Sequence, residues 1–153
     1  MTYTINKSGI KNVNFGFNVK LVDPVNLYDC SIGDNTFIGP FTEIQKGVVI
    51  GNSCKIQSHS FICELVTIGD NCFIGHGVMF INDLFQSGGP ANGDRNKWKK
   101  TNISDNVSIG SNATILPVNI ASNVVIGAGS VVTKDITVSG IYAGNPAKMI
   151  KTL

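Results

Sequence analysis

The chain has 153 residues, enough for one domain with a core of its own. Charged residues make up only 14% and the net charge is +2, which gives no argument for a nucleic-acid or membrane partner. No apolar stretch approaches the about 18 residues of a membrane span, and the opening MTYTINKSG lacks the character of a secretory leader, so a soluble cytoplasmic protein is expected.

Residues 1–20 carry no periodic signal and read as an incomplete first coil covering the open end of a core. A strict pattern then begins. Ile32, Ile38, Ile44, Ile50, Ile56, Ile62, Ile68 and Ile74 follow one another at six-residue intervals, and Phe80 holds the next place. Neither a helix, with its period of about 3.6, nor a plain strand, with its period of 2, repeats this way. A six-residue period marks a parallel β-helix, in which short strands coil around a filled core. The residue after each isoleucine is often glycine, as at Gly33, Gly51, Gly69 and Gly110. The third residue on is often Asn or Gly, as at Asn35, Gly47, Asn71 and Gly77, the types that accept positive φ. The fourth is small or β-branched, as at Thr36, Val48, Cys54 and Val78, and must also point inward. Each hexad is therefore one strand and one corner, and three hexads close a triangular coil. Successive coils are expected to stack at about 4.8 Å.

The register runs to about Leu84 and breaks. Residues 83–102 (DLFQSGGPANGDRNKWKKTN) have no period and hold Trp98, the sole tryptophan. A loop this long inside a compact domain is usually functional. Its basic run, Arg95 to Lys100, reads first as solvated. The pattern resumes at Ile103, Ile109 and Ile115, slips by one residue at Pro117, and is expected to continue inward through Ile120, Ile126, Val132 and Val138. The prediction is an all-β chain, a single domain over 1–153, of about six coils with a long extruded loop near 83–102 and a short C-terminal tail. Cys30, Cys54, Cys63 and Cys72 form no CxxC, and only two histidines exist, so no metal site is expected and the thiols read as reduced core residues.

Phasing shows which polar side chains can meet. Glu64 and Asn82 stand one coil apart at one corner, and His59 and His76 share a different one. An edge of the prism spans on the order of 15–20 Å. The two corners of one chain are then too far apart to share a small substrate, which favours a site between copies of the chain.

Two segments carry a family resemblance. The stretch IGAGSVVTKDITVSGIYAGNPAKMI, residues 126–150, is similar to the closing segment of the hexapeptide-repeat acyltransferases, and FINDLF, residues 80–85, is similar to an F-T/I-N-D motif of a subgroup that N-acetylates nucleotide-linked amino sugars for surface polysaccharide (lipopolysaccharide) synthesis. The resemblance covers residues 25–150. It implies a left-handed parallel β-helix, a homotrimer with sites between neighbouring prisms, acetyl-CoA as co-substrate, and a dTDP- or UDP-linked amino sugar as acceptor. It also implies a coenzyme A groove along the later coils, with Gly110, Ala128 and Lys134 beside it and Lys148 near the 3′-phosphate. The one-residue slip at Pro117 departs from the family's spacing.

Direct attack of an amine on the thioester asks for a base within hydrogen-bond reach and a donor to the oxyanion, with no covalent intermediate. His59 is the first choice as base and His76 the second. Their structural readings are an αL-tolerant corner residue and a surface corner residue. Asn82 and Asp83 are placed to grip the sugar, against a loop-initiating Asx role. Glu64 orients Asn82 or accepts a sugar hydroxyl, unless it is simply solvated. An O-acetyltransferase of a sugar or serine hydroxyl is the first alternative, disfavoured because Ile81-Asn82-Asp83 stands where a Thr-His-Pro would be expected. A γ-type carbonic anhydrase needs three histidines for zinc, which this chain lacks. A non-catalytic β-helix scaffold is a further alternative, against which the long loop and the AGNPAK closure argue.

Overall fold

The computed structural model describes residues 2–153. The chain winds as a three-sided solenoid whose walls are parallel sheets of short strands. The first wall stacks Ile10–Lys11, Asn26–Tyr28, Glu43–Ile44, Phe61–Ile62, Met79–Phe80, Thr114–Ile115 and Val131–Val132. The second stacks Asn14–Phe15, Ser31–Ile32, Val49–Ile50, Val66–Ile68, Thr101–Ile103 and Asn119–Ile120. The third runs from Lys20–Leu21 through Phe37–Ile38, Lys55–Ile56, Phe73–Ile74, Ser108–Ile109 and Val124–Ile126 to Gly140–Ala143, then closes with the antiparallel strand Lys148–Thr152. Among the described residues no helix is long and apolar enough to cross a membrane.

The six-residue period is the geometry of the core. Each isoleucine of the series from Ile32 to Ile74 is buried, as are the residues four places on, from Thr36 to Val78. Directly stacked pairs such as Ile44 on Ile62 and Ile56 on Ile74 form continuous apolar columns. The corners also follow the spacing: Asn35, Phe41, Ser53, His59, Leu65, Asn71, Asn106 and Asn112 all have φ between 55° and 72°.

The glycines that precede the corners have a physical cause at the edge between the second and third walls. There Asp34, Asn52, Asp70 and Asp105 form a ladder in which each Oδ1 accepts a backbone N–H from the coil before it, at 2.7–2.8 Å. A Cβ on Gly51 or Gly69 would fall 2.3 Å from the Oδ1 of Asp70 or Asp105. Side-chain ladder and glycine column are thus two halves of one packing solution.

Three expectations are corrected. The N-terminal stretch is more than a ragged cover: it supplies a strand to every wall, with Ile10, Phe15 and Leu21 under Leu27, Ile32 and Ile38. This coil takes 17 residues, as Ile10 to Leu27 shows, and the missing residue puts it out of phase with the hexads. Val138 does not continue the inward series. It is 52% exposed, and Ile136 takes the place over Ile120. The corner before Ile136 is shortened because the Asp135 carboxylate receives the Asn119 N–H at 2.8 Å and its amide at 3.0 Å, standing in for missing backbone. The slip at Pro117 holds: Ile120 lies over Ile103, 17 residues on. The third correction concerns Arg95, described next.

Candidate active site at two corners

The corner between the third and first walls holds both histidines. One backbone ladder runs up it: His59 N–H donates to Pro40 O, Gly77 N–H to Ser58 O, Asn112 N–H to His76 O, and Gly129 N–H to Ser111 O. Pro40, Ser58, His76, Ser111 and Ala128 therefore occupy one position in successive coils. Phe41, His59, Gly77, Asn112 and Gly129 occupy the next. His76 Nδ1 lies 2.8 Å from Ser58 Oγ. His59 stacks on Phe41 of the coil before, with ring centroids 4.9 Å apart and planes at 29°. Phe41 is 59% exposed, a large aromatic held at positive φ on an open edge.

Above His76 this column is lined by small residues. Gly110 packs so closely that a Cβ on it would meet Ala128 N at 2.5 Å. The turn at residues 144–147 caps the column, with Ala147 N–H donating to Val131 O at 2.8 Å, and Lys148 opens the closing strand beside it. Gly110, Ala128 and Lys148 thus lie on the histidine corner, on its C-terminal side. Lys134 does not. It stands at the corner between the first and second walls, where the chain turns after Val131–Val132.

That second corner carries the loop. Asn82 Nδ2 donates to the main-chain O of Glu64 at 3.2 Å, so the one-coil stacking holds, though through Glu64's backbone and not its carboxylate. The Glu64 carboxylate pairs with Arg95. This corrects the reading of Arg95 as a solvated loop residue. The pair escaped sequence reasoning because the loop has no period from which to place its residues. Arg95 also lies 5.9 Å from the Trp98 ring centroid. Asp83 organises the loop: its two oxygens accept Phe85 N–H at 2.9 Å and Ala91 N–H at 2.7 Å. Lys99 N–H to Asn82 O, at 2.9 Å, closes the neck. Ser58 and Phe41 were likewise unassigned by sequence, although Ser58 precedes His76 by one 18-residue coil, a spacing from which stacking is readable.

The latch has a testable consequence. Arg95 is half exposed, so Arg95→Ala is expected to lower global stability by only about 0.2–1 kcal/mol. Locally it releases the loop, and trypsin is expected to cut at Lys97, Lys99 or Lys100 several-fold faster while the melting temperature barely moves. Unchanged cleavage would show that Asp83 alone holds the loop.

All four thiols are free and buried. Burial pushes Cys63 up to about 12 and Cys30 up to about 11. With both shifts upward, their stabilising contribution is complete below the ordinary thiol value of 9.0 and is lost as pH climbs through about 11 and 12. At pH 8 the native protein is expected to react with an aromatic disulfide reagent at well under one thiol per chain, against all four after unfolding. Rapid labelling of the native protein at pH 8 would contradict this burial.

Comparisons with known proteins agree with this architecture. The family model "Bacterial transferase hexapeptide (six repeats)" matches residues 29–64, and "Hexapeptide repeat of succinyl-transferase" matches 65–79 and 100–134, together just over half the chain. The bifunctional protein GlmU of Acaryochloris marina is 30% identical over 135 residues, 83% of this chain and 29% of the relative. The chain spans about 30% of the length of the curated relatives it matches. A single-residue variant of AntD, an N-acyltransferase from Bacillus cereus, in complex with dTDP and coenzyme A, is 28% identical with a TM-score of 0.80, covering 91% of this chain and 82% of its own. Another AntD variant, in complex with dTDP-4-amino-4,6-dideoxyglucose and coenzyme A, is 26% identical with a TM-score of 0.80, covering 92% and 83%. The hexapeptide-repeat acetyltransferase VCA0836 from Vibrio cholerae is 25% identical with a TM-score of 0.60, covering 92% and 73%.

Proposed function

We propose that this chain, which belongs to the hexapeptide-repeat transferases, is an acetyl-CoA-dependent N-acetyltransferase of a nucleotide-linked amino sugar. The likeness to AntD, an N-acyltransferase in complex with dTDP-4-amino-4,6-dideoxyglucose and coenzyme A, supports the reaction class. The single observation that carries the chemistry is the Ser58–His76 contact. In the tautomer that serves as base, His76 Nδ1–H donates to Ser58 Oγ and Nε2 keeps its lone pair. The acceptor amine attacks the thioester carbonyl. Its N–C bond forms, the C–S bond breaks, and the amine proton passes to His76 Nε2 and on to the departing CoA sulfur.

His76 takes the base role ahead of His59 because a hydrogen-bonded ring is held in one orientation. His59, stacked on Phe41, contacts the acceptor one coil below. Coenzyme A lies on the C-terminal side, along Gly110 and Ala128, with Lys148 near its 3′-phosphate as a point charge. At the loop corner the sugar meets Asn82 Oδ1 and the acceptor capacity that the Asp83 and Glu64 carboxylates keep beyond their bonds to the loop, and Lys134 stands on that same corner.

One chain keeps those two corners apart, so the complete site belongs to a homotrimer. The supporting observation is the distribution of outward apolar side chains. Phe41, Met79 and Phe73, 59%, 40% and 38% exposed, crowd the histidine corner and its flanking walls. The second wall presents Ser31, Thr67, Asn102 and Asn119, with Val49, 46% exposed, as its outward apolar side chain. Such apolar exposure fits an interface. The deciding experiment is thiol release from acetyl-CoA with a panel of dTDP- and UDP-linked amino sugars and alcohol acceptors, run on protein sized by light scattering. Release with amines alone supports N-acetylation. Release with alcohols alone favours the O-acetyl alternative, and none at all favours a scaffold.

A further inference from the structure

Directly below the histidine corner, on the outer face of the third wall, lies a cleft of about 500 Å³, within the size range of small-molecule sites. Its outward column is Lys20, Phe37 and Lys55, one above another in three successive coils, by the pairings Lys20 with Phe37 and Phe37 with Lys55. Asn18 and Asn35 complete one side, joined by a 3.0 Å hydrogen bond between their amides, and Gln57 forms the rim. No carboxylate lines the cleft. Among the described residues neither lysine is in an ion pair. Two uncompensated cations on either side of an aromatic ring suit a ligand with clustered negative charge and a flat apolar part.

The position adds to the chemistry. Gln57 immediately precedes Ser58 and His59, so the rim of the cleft adjoins the histidine corner. It lies on the N-terminal side of His76, whereas Gly110 and Ala128 lie on the C-terminal side. Lys55 is in the coil that also carries Ser58, one coil below His76, or about 5 Å along the axis. A ligand held there points one end at His76 from the side opposite the coenzyme A groove.

We infer that the Lys20–Phe37–Lys55 cleft is the nucleoside diphosphate subsite of the acceptor, the lysines taking the diphosphate and Phe37 stacking the base. The assignment rests on the proposed acceptor class, and its test is an equilibrium measurement that needs no turnover. Calorimetric titration of the whole protein with dTDP, UDP and inorganic pyrophosphate is the experiment. Wild type is expected to bind a nucleoside diphosphate more tightly than pyrophosphate, with affinity falling as salt rises. Lys20→Gln with Lys55→Gln is expected to weaken nucleotide binding at least about ten-fold, and Phe37→Ala to erase the advantage over pyrophosphate. Coenzyme A binding is expected to stay within about two-fold in every variant. Both lysines are exposed, so folding is not at stake. Unchanged dTDP and UDP affinity in the double variant, or no nucleotide binding by wild type, overturns the subsite. Acyl transfer itself is judged separately by thiol release.

Discussion

His76→Ala is expected to lower kcat for thiol release with a nucleotide-linked amino sugar by about 10²–10⁴-fold, while coenzyme A affinity changes little. The direction follows from geometry. A base acts in the transition state, and its loss removes an interaction that substrate binding does not use. Ser58→Ala is expected to act in the same sense but more weakly, because it frees the ring without removing it. His59→Ala is expected to fall mainly on the acceptor's KM, since that ring is committed to Phe41. Full turnover in His76→Ala, with kcat lost in His59→Ala, would exchange the two roles. A loss of turnover shared equally between the two variants would point instead to general damage at the corner.

Phe80→Ala is expected to destabilise the fold by about 3–5 kcal/mol. Phe80 is completely buried and is the bulkiest of the fully buried side chains. It ends the strand from which the chain departs into the loop, and it is paired above with Ile115. The void would lie between coils joined by backbone ladders on all three walls, so the solenoid cannot collapse to refill it. Ile56→Ala, in the same core but smaller, is expected to cost about 2–5 kcal/mol. Denaturant unfolding distinguishes these values from the small effect of breaking the exposed Arg95 pair. A loss below about 1 kcal/mol for Phe80→Ala would mean that the coils repack.

The fold was legible because a solenoid repeats one local rule. Where hexads run unbroken, from Ile32 to Phe80, burial, corner φ and wall all follow from position in the period. The same rule placed His59 beside His76 and Glu64 beside Asn82. It failed where coil length changes. The 17-residue N-terminal coil keeps the three-walled fold but loses the phase, and the short turn at Asp135 turns Val138 outward and brings Ile136 in. It also could not reach the loop, whose shape depends on Asp83 holding Phe85 and Ala91 and on Arg95 meeting Glu64.

What the sequence determined alone is the architecture and the stacking of one residue on another 18 places away, because a periodic chain with parallel ladders makes neighbours of equal phases. What only the tertiary structure decided is how side chains at those places engage. His76 meets Ser58 and His59 meets Phe41; Glu64 uses its carbonyl for Asn82 and its carboxylate for Arg95; Lys20 and Lys55 bracket Phe37 on an open wall. These contacts depend on rotamers, on an aperiodic loop and on local charge, and none of the three repeats along the chain.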